Sequence, residues 1–247
     1  MAFLGFPVDG KMEVIKMKRQ RKKEIDTLII SDLHLGVPVS RPEQTIEAIK
    51  KYNFKRLILL GDIFDDLNFE RLKHEHWEFL SFIREFSDPK RNVEVIWVVG
   101  NHDFLLLNMK FLIGIPLRKE FRWTYERKTY FAIHGHQFDR FLVENPILSK
   151  IASFIYFWIQ KIDSSQRFSR YLKRKSKGWL RLSEKVAKSG VKYAKLKGAD
   201  FVFCGHTHQA LHETIDGVQY FNSGCWTDKP STYITIGEDG VNLHNVR

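Results

Sequence analysis

The chain has 247 residues, 43% of them hydrophobic and 14% aromatic, with 40 basic side chains against 29 acidic ones and a formal charge of +11. So much apolar material excludes a disordered chain, and the length suits one large domain or a domain carrying an insertion. The most apolar stretch, 151–159, falls far short of the ~20 residues that a membrane-spanning helix needs, so a spanning protein is not expected.

Residues 1–23 read as a basic N-terminal extension. Their charge follows a short apolar patch, the reverse of the order in a secretory signal, and export is not expected. Two cysteines, Cys204 and Cys225, are too few for a disulfide framework and fit a reducing cytoplasm. The remainder, 24–247, reads as one catalytic domain. Its first half alternates buried strands (24–31, 56–60, 93–99) with helices (42–52, 70–86), the pattern of parallel α/β layering. Further on, 122–125 with 129–133 predicts a hairpin, and 200–204 another short strand. Residues 211–215 and 218–221 flank Asp216-Gly217, a type I′ turn signal, and 232–237 with 241–246 repeat the arrangement around Glu238-Asp239-Gly240. Local pattern therefore predicts an antiparallel second half and a mixed sheet. Between the halves, 139–198 shows helical spacing without strand alternation and reads as a helical insertion.

The positive charge is local. Residues 140–197 hold fifteen basic and three acidic side chains, a net +12, so everything outside that segment is close to neutral. Such a region attracts nucleic acid, anionic lipid head groups or a polyanionic substrate, or it is simply a solvated helix face. Within it, FLVENPILSKIASFIYFWIQKI is apolar nearly all round and needs partners on more than one side. RFSRYLKRKSKGWL then mixes cations with aromatics, as an interfacial element does. Lys173, Arg174 and Lys177 are its candidate substrate contacts.

The strand ends carry the chemistry. Ser31-Asp32-Leu33-His34 follows the first strand, Gly61-Asp62-Ile63-Phe64-Asp65 the second and Gly100-Asn101-His102-Asp103 the third; later come His134-Gly135-His136 and Gly205-His206-Thr207-His208. Ligands of open α/β sheets bind outside the carboxyl ends of the strands, so five such tips can meet at one site. Alternation along an extended segment would aim Asp32 with His34, and His206 with His208, at a common centre. Asp, His and Asn together suit manganese, iron or zinc better than calcium. Divalent cations also remove the repulsion and desolvation that so many clustered carboxylates and imidazoles would otherwise meet. Either motif alone is common by chance; all five, in order and each at a strand end, are not.

These blocks resemble the calcineurin-like metallophosphoesterase superfamily from Asp32 to His208. Within it, SDLHLG, GNHD, HGHQFD and GHTHQA followed by DGVQYFNSGCW are similar to the UDP-2,3-diacylglucosamine pyrophosphatases of lipid A synthesis and their relatives. The resemblance implies a four-layer α/β/β/α sandwich with mixed sheets, capped by the helical insertion. It implies one cation held by Asp32, His34, Asp62 and His208 and another by Asp62, Asn101, His134 and His206, manganese being expected and zinc or iron the alternatives. His102 would then contact the scissile phosphate or assist the leaving group, with Asp103 an orienting partner, while Asp65 is either a supporting carboxylate or a helix N-cap. Some lipid A enzymes have arginine where this chain has His102, and an acid is common in place of His136, to which no role is assigned. The expected activity is metal-dependent hydrolysis of a nucleotide-linked lipid to release UMP, at the inner face of the cytoplasmic membrane. A nuclease or phosphodiesterase, and a binding module with structural metals, are the alternatives.

Overall fold

The carboxyl-terminal parts of Lys23–Ile30 (β1), Tyr52–Leu60 (β2) and Glu94–Val98 (β3) are unbroken apolar runs, Leu28–Ile30, Leu57–Leu60 and Val95–Val98, as strands covered on both faces require. In the computed structural model, which describes residues 21–109, 114–139 and 177–247, these three pair in parallel and are extended by Leu117–Arg118 (β4). Ser231–Gly237 (β10) joins antiparallel to β1, and Gly240–Val246 (β11) closes a six-stranded sheet in the order β11-β10-β1-β2-β3-β4.

A second sheet contains Glu120–Tyr125 (β5), Lys128–Ile133 (β6), Phe201–Cys204 (β7), Leu211–Ile215 (β8) and Val218–Asn222 (β9), ordered β5-β6-β7-β9-β8. The hairpins fall where the sequence predicts them. However, β7 pairs parallel to both β6 and β9, so the second half is not simply antiparallel and the strands form two mixed sheets instead of one. The expectation failed because β6 reaches β7 through the long insertion, and a crossover of that length permits parallel pairing.

Alternation sorts the side chains into three cores. Ile29, Ile58, Leu60, Ile96 and Val98 of the first sheet meet Tyr130, Ala132, Phe203 and Phe221 of the second. On the outer face of the first sheet, Leu28, Leu57, Leu59 and Trp97 pack under Pro42–Ile49 (α1) and His74–Phe86 (α2) through Ala48, Ile49, Phe79 and Ile83. On the outer face of the second, Phe131, Val202 and Tyr220 pack under Lys177–Leu196 (α3) through Ala187, Val191 and Ala194. Helix, sheet, sheet and helix thus make the four-layer sandwich.

Two boundaries differ from the sequence reading. α1 ends at Ile49, because Tyr52 already pairs with Lys23, and α2 begins at His74 after a short 3-10 turn at Phe69–Arg71. Of the insertion only Asp139 and 177–198 belong to the described residues. Lys173 and Arg174 lie outside them, as does the side chain of Lys177.

Candidate metal centre

The parallel strands all point their carboxyl ends to one rim, and the five polar tips meet there. Asp32, Asp62 and His134 are fully buried. His134 Nε2 lies 3.4 Å from Asp32 Oδ1 and 3.6 Å from Asp62 Oδ2, and His208 Nε2 lies 3.3 Å from Asp32 Oδ1. Ligand atoms of Asp32, His34 and His208 fall within 4.8 Å of one another, as do those of Asp62, His134 and His206 and those of His34, Asp65 and His102.

The backbone is bent to achieve this. Asp32, His34, Asp62, His206 and His208 all have φ between 48° and 65°, a region that non-glycine residues occupy at a cost and chiefly at functional sites. The extended alternation expected for Asp32/His34 and His206/His208 is therefore not what aims them; left-handed residues spaced two apart do it instead. Main-chain donors of one tip bind carboxylates of another: His206 N–H donates to Asp32 (3.1 Å) and His102 N–H to Asp62 Oδ1 (2.9 Å). Glycine makes such closeness feasible. A Cβ on Gly100 would sit 2.1 Å from Asp62 Oδ1, and one on Gly205 2.3 Å from Asp32 Oδ2.

Charge follows from this packing. Burial pushes the Asp32 carboxyl up, but His208 and His134 outweigh it and hold the group well below the usual carboxylate range. Asp62 is likewise held low, chiefly by His134 and His102, against its burial. His134 is pulled up to about 9: burial opposes its charge, and the pair Asp62 and Asp32 overcome it. A proton on His134 thus partly balances two buried carboxylates, the duty that a cation performs better.

Several histidines have their far nitrogen engaged. His34 Nδ1 faces Asp65 Oδ1 at 3.4 Å while its Nε2 lies 3.1 Å from Nε2 of His208. His134 Nδ1 faces His136 Nδ1 at 3.1 Å, and burial together with His134 pushes His136 down to about 3. His206 Nε2 faces Asp139 Oδ2 at 3.1 Å. Asn101 Oδ1 and His208 Nδ1 are shut away from solvent without a hydrogen-bond partner. An orphaned amide oxygen, an orphaned imidazole nitrogen and buried carboxylates crowded together are poorly satisfied as they stand and well satisfied by divalent cations. The donor set fits the expected metals.

His102 sits beside this centre, its ring 4.9 Å from that of His34 and its Nδ1 bonded to the Asp65 carbonyl. A carbonyl only accepts, so Nδ1 carries the hydrogen and Nε2 is free to face a substrate. Burial lowers its pKa, but Asp62 and Asp65 raise it by more. Asp103 does not orient this ring, contrary to expectation. Its carboxylate accepts from Ile63 N–H and Trp97 Nε1–H, each at 3.0 Å, and from Gly100 N–H, tying the third tip to the second. Burial and Asp62 push it up to about 6. Nor is Asp65 an N-cap: it joins His34 to Arg71, whose Nη2 lies 2.9 Å from Asp65 Oδ2. Of the two roles expected for Asp65 the structure favours the supporting carboxylate, whereas the contacts of His136 and Asp139 with His134 and His206 are not foreseen in the sequence, although HGHQFD contains both residues.

The chain has distant structural relatives. A novel archaeal phosphodiesterase aligns with 89% of this chain and 99% of its own at 18% identity and TM-score 0.49. YfcE, a phosphoesterase from E. coli, aligns with 87% and 90% at 16% identity and TM-score 0.48, and zinc-complexed Vps29 from Entamoeba histolytica with 89% and 97% at 12% and 0.43. No curated protein matches the sequence. Residues 25–237 match the family model of the calcineurin-like phosphoesterase superfamily domain, a stretch that takes in every tip described above. The chain belongs to the calcineurin-like phosphoesterase superfamily and is a metal-dependent phosphohydrolase.

Proposed function

We propose that the protein hydrolyses a phosphodiester or diphosphate with two divalent cations, Mn²⁺ foremost, and that its substrate is a nucleotide-linked lipid of the UDP-2,3-diacylglucosamine kind, cleaved to release UMP. The observation that carries the catalytic part is the meeting of two Asp/His groups with His102 beside them at one rim. Asp32, His34, Asp62 and His208 would hold one cation, and Asp62, Asn101, His134 and His206 the other. When bound, such cations supply Lewis acidity toward the phosphoryl oxygens and bring the pKa of a water near neutrality.

The protein's own groups do the rest. The strained tips hold their side chains before substrate arrives, so little reorganisation is needed on binding. His102, with Nδ1 fixed by the Asp65 carbonyl and its pKa raised by Asp62 and Asp65, keeps a proton on Nε2 for the leaving oxygen. Arg71 fixes Asp65 in turn.

The lipid assignment is supported by the SDLHLG, HGHQFD and GHTHQA blocks and by the aromatic, basic composition of 141–180, where Lys173, Arg174 and Lys177 are the proposed diphosphate contacts. Work at the inner face of the cytoplasmic membrane goes with that substrate. Among the described residues no helix is long and apolar enough to cross a membrane, so the contact would be peripheral. Release of UMP from UDP-2,3-diacylglucosamine with Mn²⁺ tests the reading. Turnover of simple phosphodiesters without that release removes the lipid and keeps the hydrolase. A nucleic-acid substrate is favoured by one feature, the exposed Arg181, Lys185, Lys188, Lys192 and Lys195 on α3. Oligonucleotide cleavage with steeply salt-dependent binding would establish that alternative.

A further inference from the structure

The buried carboxylate of Asp139, like those of Asp65 and Asp103, lies near the rim without a place among the proposed cation contacts. Asp139 stands at the first position of the insertion, just beyond the 3-10 turn His136–Phe138, and its side chain is about as buried as that of His206. Its Oδ2 lies 3.1 Å from His206 Nε2. A carboxylate there accepts from Nε2–H, which fixes the tautomer and leaves Nδ1 as the nitrogen free to meet Asp62 and His134. His206 needs such an aid more than its neighbours do. Its backbone is held at φ 65° and its N–H is spent on Asp32, but nothing else among the hydrogen bonds described restrains the ring about its own axis. The counterpart in the other cluster is the Asp65 carboxylate behind His34.

We infer that Asp139 is a positioning residue: it orients His206 toward the second cation site and links that site to the root of the insertion. Carboxylates behind ligating imidazoles raise ligand basicity and restrict ring rotation, and losing one typically costs 10–100-fold in metal affinity. The inference rests on the two-cation reading of the centre, so its test reads metal binding and not turnover alone. Metal-free full-length protein is titrated with Mn²⁺ by calorimetry, wild type beside Asp139→Ala and Asp139→Asn, with circular dichroism checking the fold of each.

The expected result is two Mn²⁺ for wild type. For Asp139→Ala one of the two ions should dissociate 10–100-fold more readily than from wild type, the other staying within about twofold. Asp139→Asn, which keeps an acceptor but not the charge, should fall between. Should Asp139→Ala not fold, the Asn variant carries the comparison. Two ions bound with wild-type affinities by both variants overturn the inference and leave the two-cation reading intact. Complete loss of one ion in both variants also overturns it, because Asp139 would then be a ligand itself. Wild-type protein that takes up no Mn²⁺ ends both readings.

Discussion

The two ends of the sandwich use the same backbone conformation for opposite purposes. At the hairpin end, Glu126, Arg127 and Asp216 have positive φ together with Gly217 and Gly240, each inside a tight turn that needs it. At the rim, Asp32, His34, Asp62, His206 and His208 have positive φ in segments that are not hairpin turns. A turn stabilises its left-handed residues locally, through ladder hydrogen bonds and the strand twist. The rim residues are held by contacts from other parts of the chain, such as His206 N–H on Asp32 and Trp226 N–H on the Asp32 carbonyl. Strain that is imposed from outside marks the place where function is concentrated.

Removing a rim carboxylate should break this contrast most severely. Asp62→Ala is expected to lower kcat/KM for a phosphodiester by on the order of 10³-fold or more, since it removes a proposed ligand of both cations. The metal-free variant should nevertheless fold, melting somewhat below metal-free wild type, because His134 and His102 lose the carboxylate that faces them and the His102 N–H loses its acceptor. With Mn²⁺ at about a hundredfold excess over Kd, each bound ion should stabilise wild type by about 2.7 kcal/mol and Asp62→Ala by clearly less. Thermal scans with and without chelator measure both. Failure of the variant to fold would favour the reading in which metals are structural.

A pair of glycines sharpens the comparison further. Gly205→Ala would place a methyl 2.3 Å from Asp32 Oδ2 and 3.0 Å from the Ser31 hydroxyl, against groups that are themselves held. It should cost roughly 1–3 kcal/mol in denaturant unfolding and weaken Mn²⁺ binding as well. Gly217→Ala meets nothing within 4 Å and is disfavoured only by its φ of 80°. Its expected cost is about 1 kcal/mol, with metal affinity unchanged. Equal effects on metal binding from the two would mean that the rim and the turns are not mechanically distinct.

What was legible in the sequence divides along the same line. Strands and hairpins could be read because burial on both faces demands unbroken apolar runs and tight turns demand Gly or Asp. The tips were legible because polar residues at the end of such runs have no structural use there. Sheet partnership was not, since the parallel placement of β7 between β6 and β9 depends on where the long insertion returns the chain. Among the supporting residues Asp65 was legible as one of two roles, and the others were not, for a related reason. Asp103 stands next to His102 in the sequence yet turns to Ile63 and Trp97, whereas Asp139 is 67 positions from His206 and reaches it. Adjacency along the chain says little about side-chain direction when the tips are left-handed.

The smallest expected effect concerns a histidine outside the proposed cation contacts and tests its titration without metal. In the first turn of α2, Lys73 N–H donates to His76 Nδ1 at 3.1 Å, which requires a neutral ring, and burial lowers the His76 pKa from its usual 6.5. As pH falls below about 6.5 the unfolded chain takes up this proton more readily than the folded one. The stability contributed is therefore complete above that pH and is lost on descent toward the depressed folded value. His76→Gln keeps an acceptor and cannot titrate, so its unfolding free energy should fall less steeply between pH 6.5 and 5, by no more than about 1.4 kcal/mol per pH unit for one proton. Chemical denaturation of both proteins in chelator across that range measures the difference, and parallel curves would show that the cap of α2 gains nothing from a neutral His76.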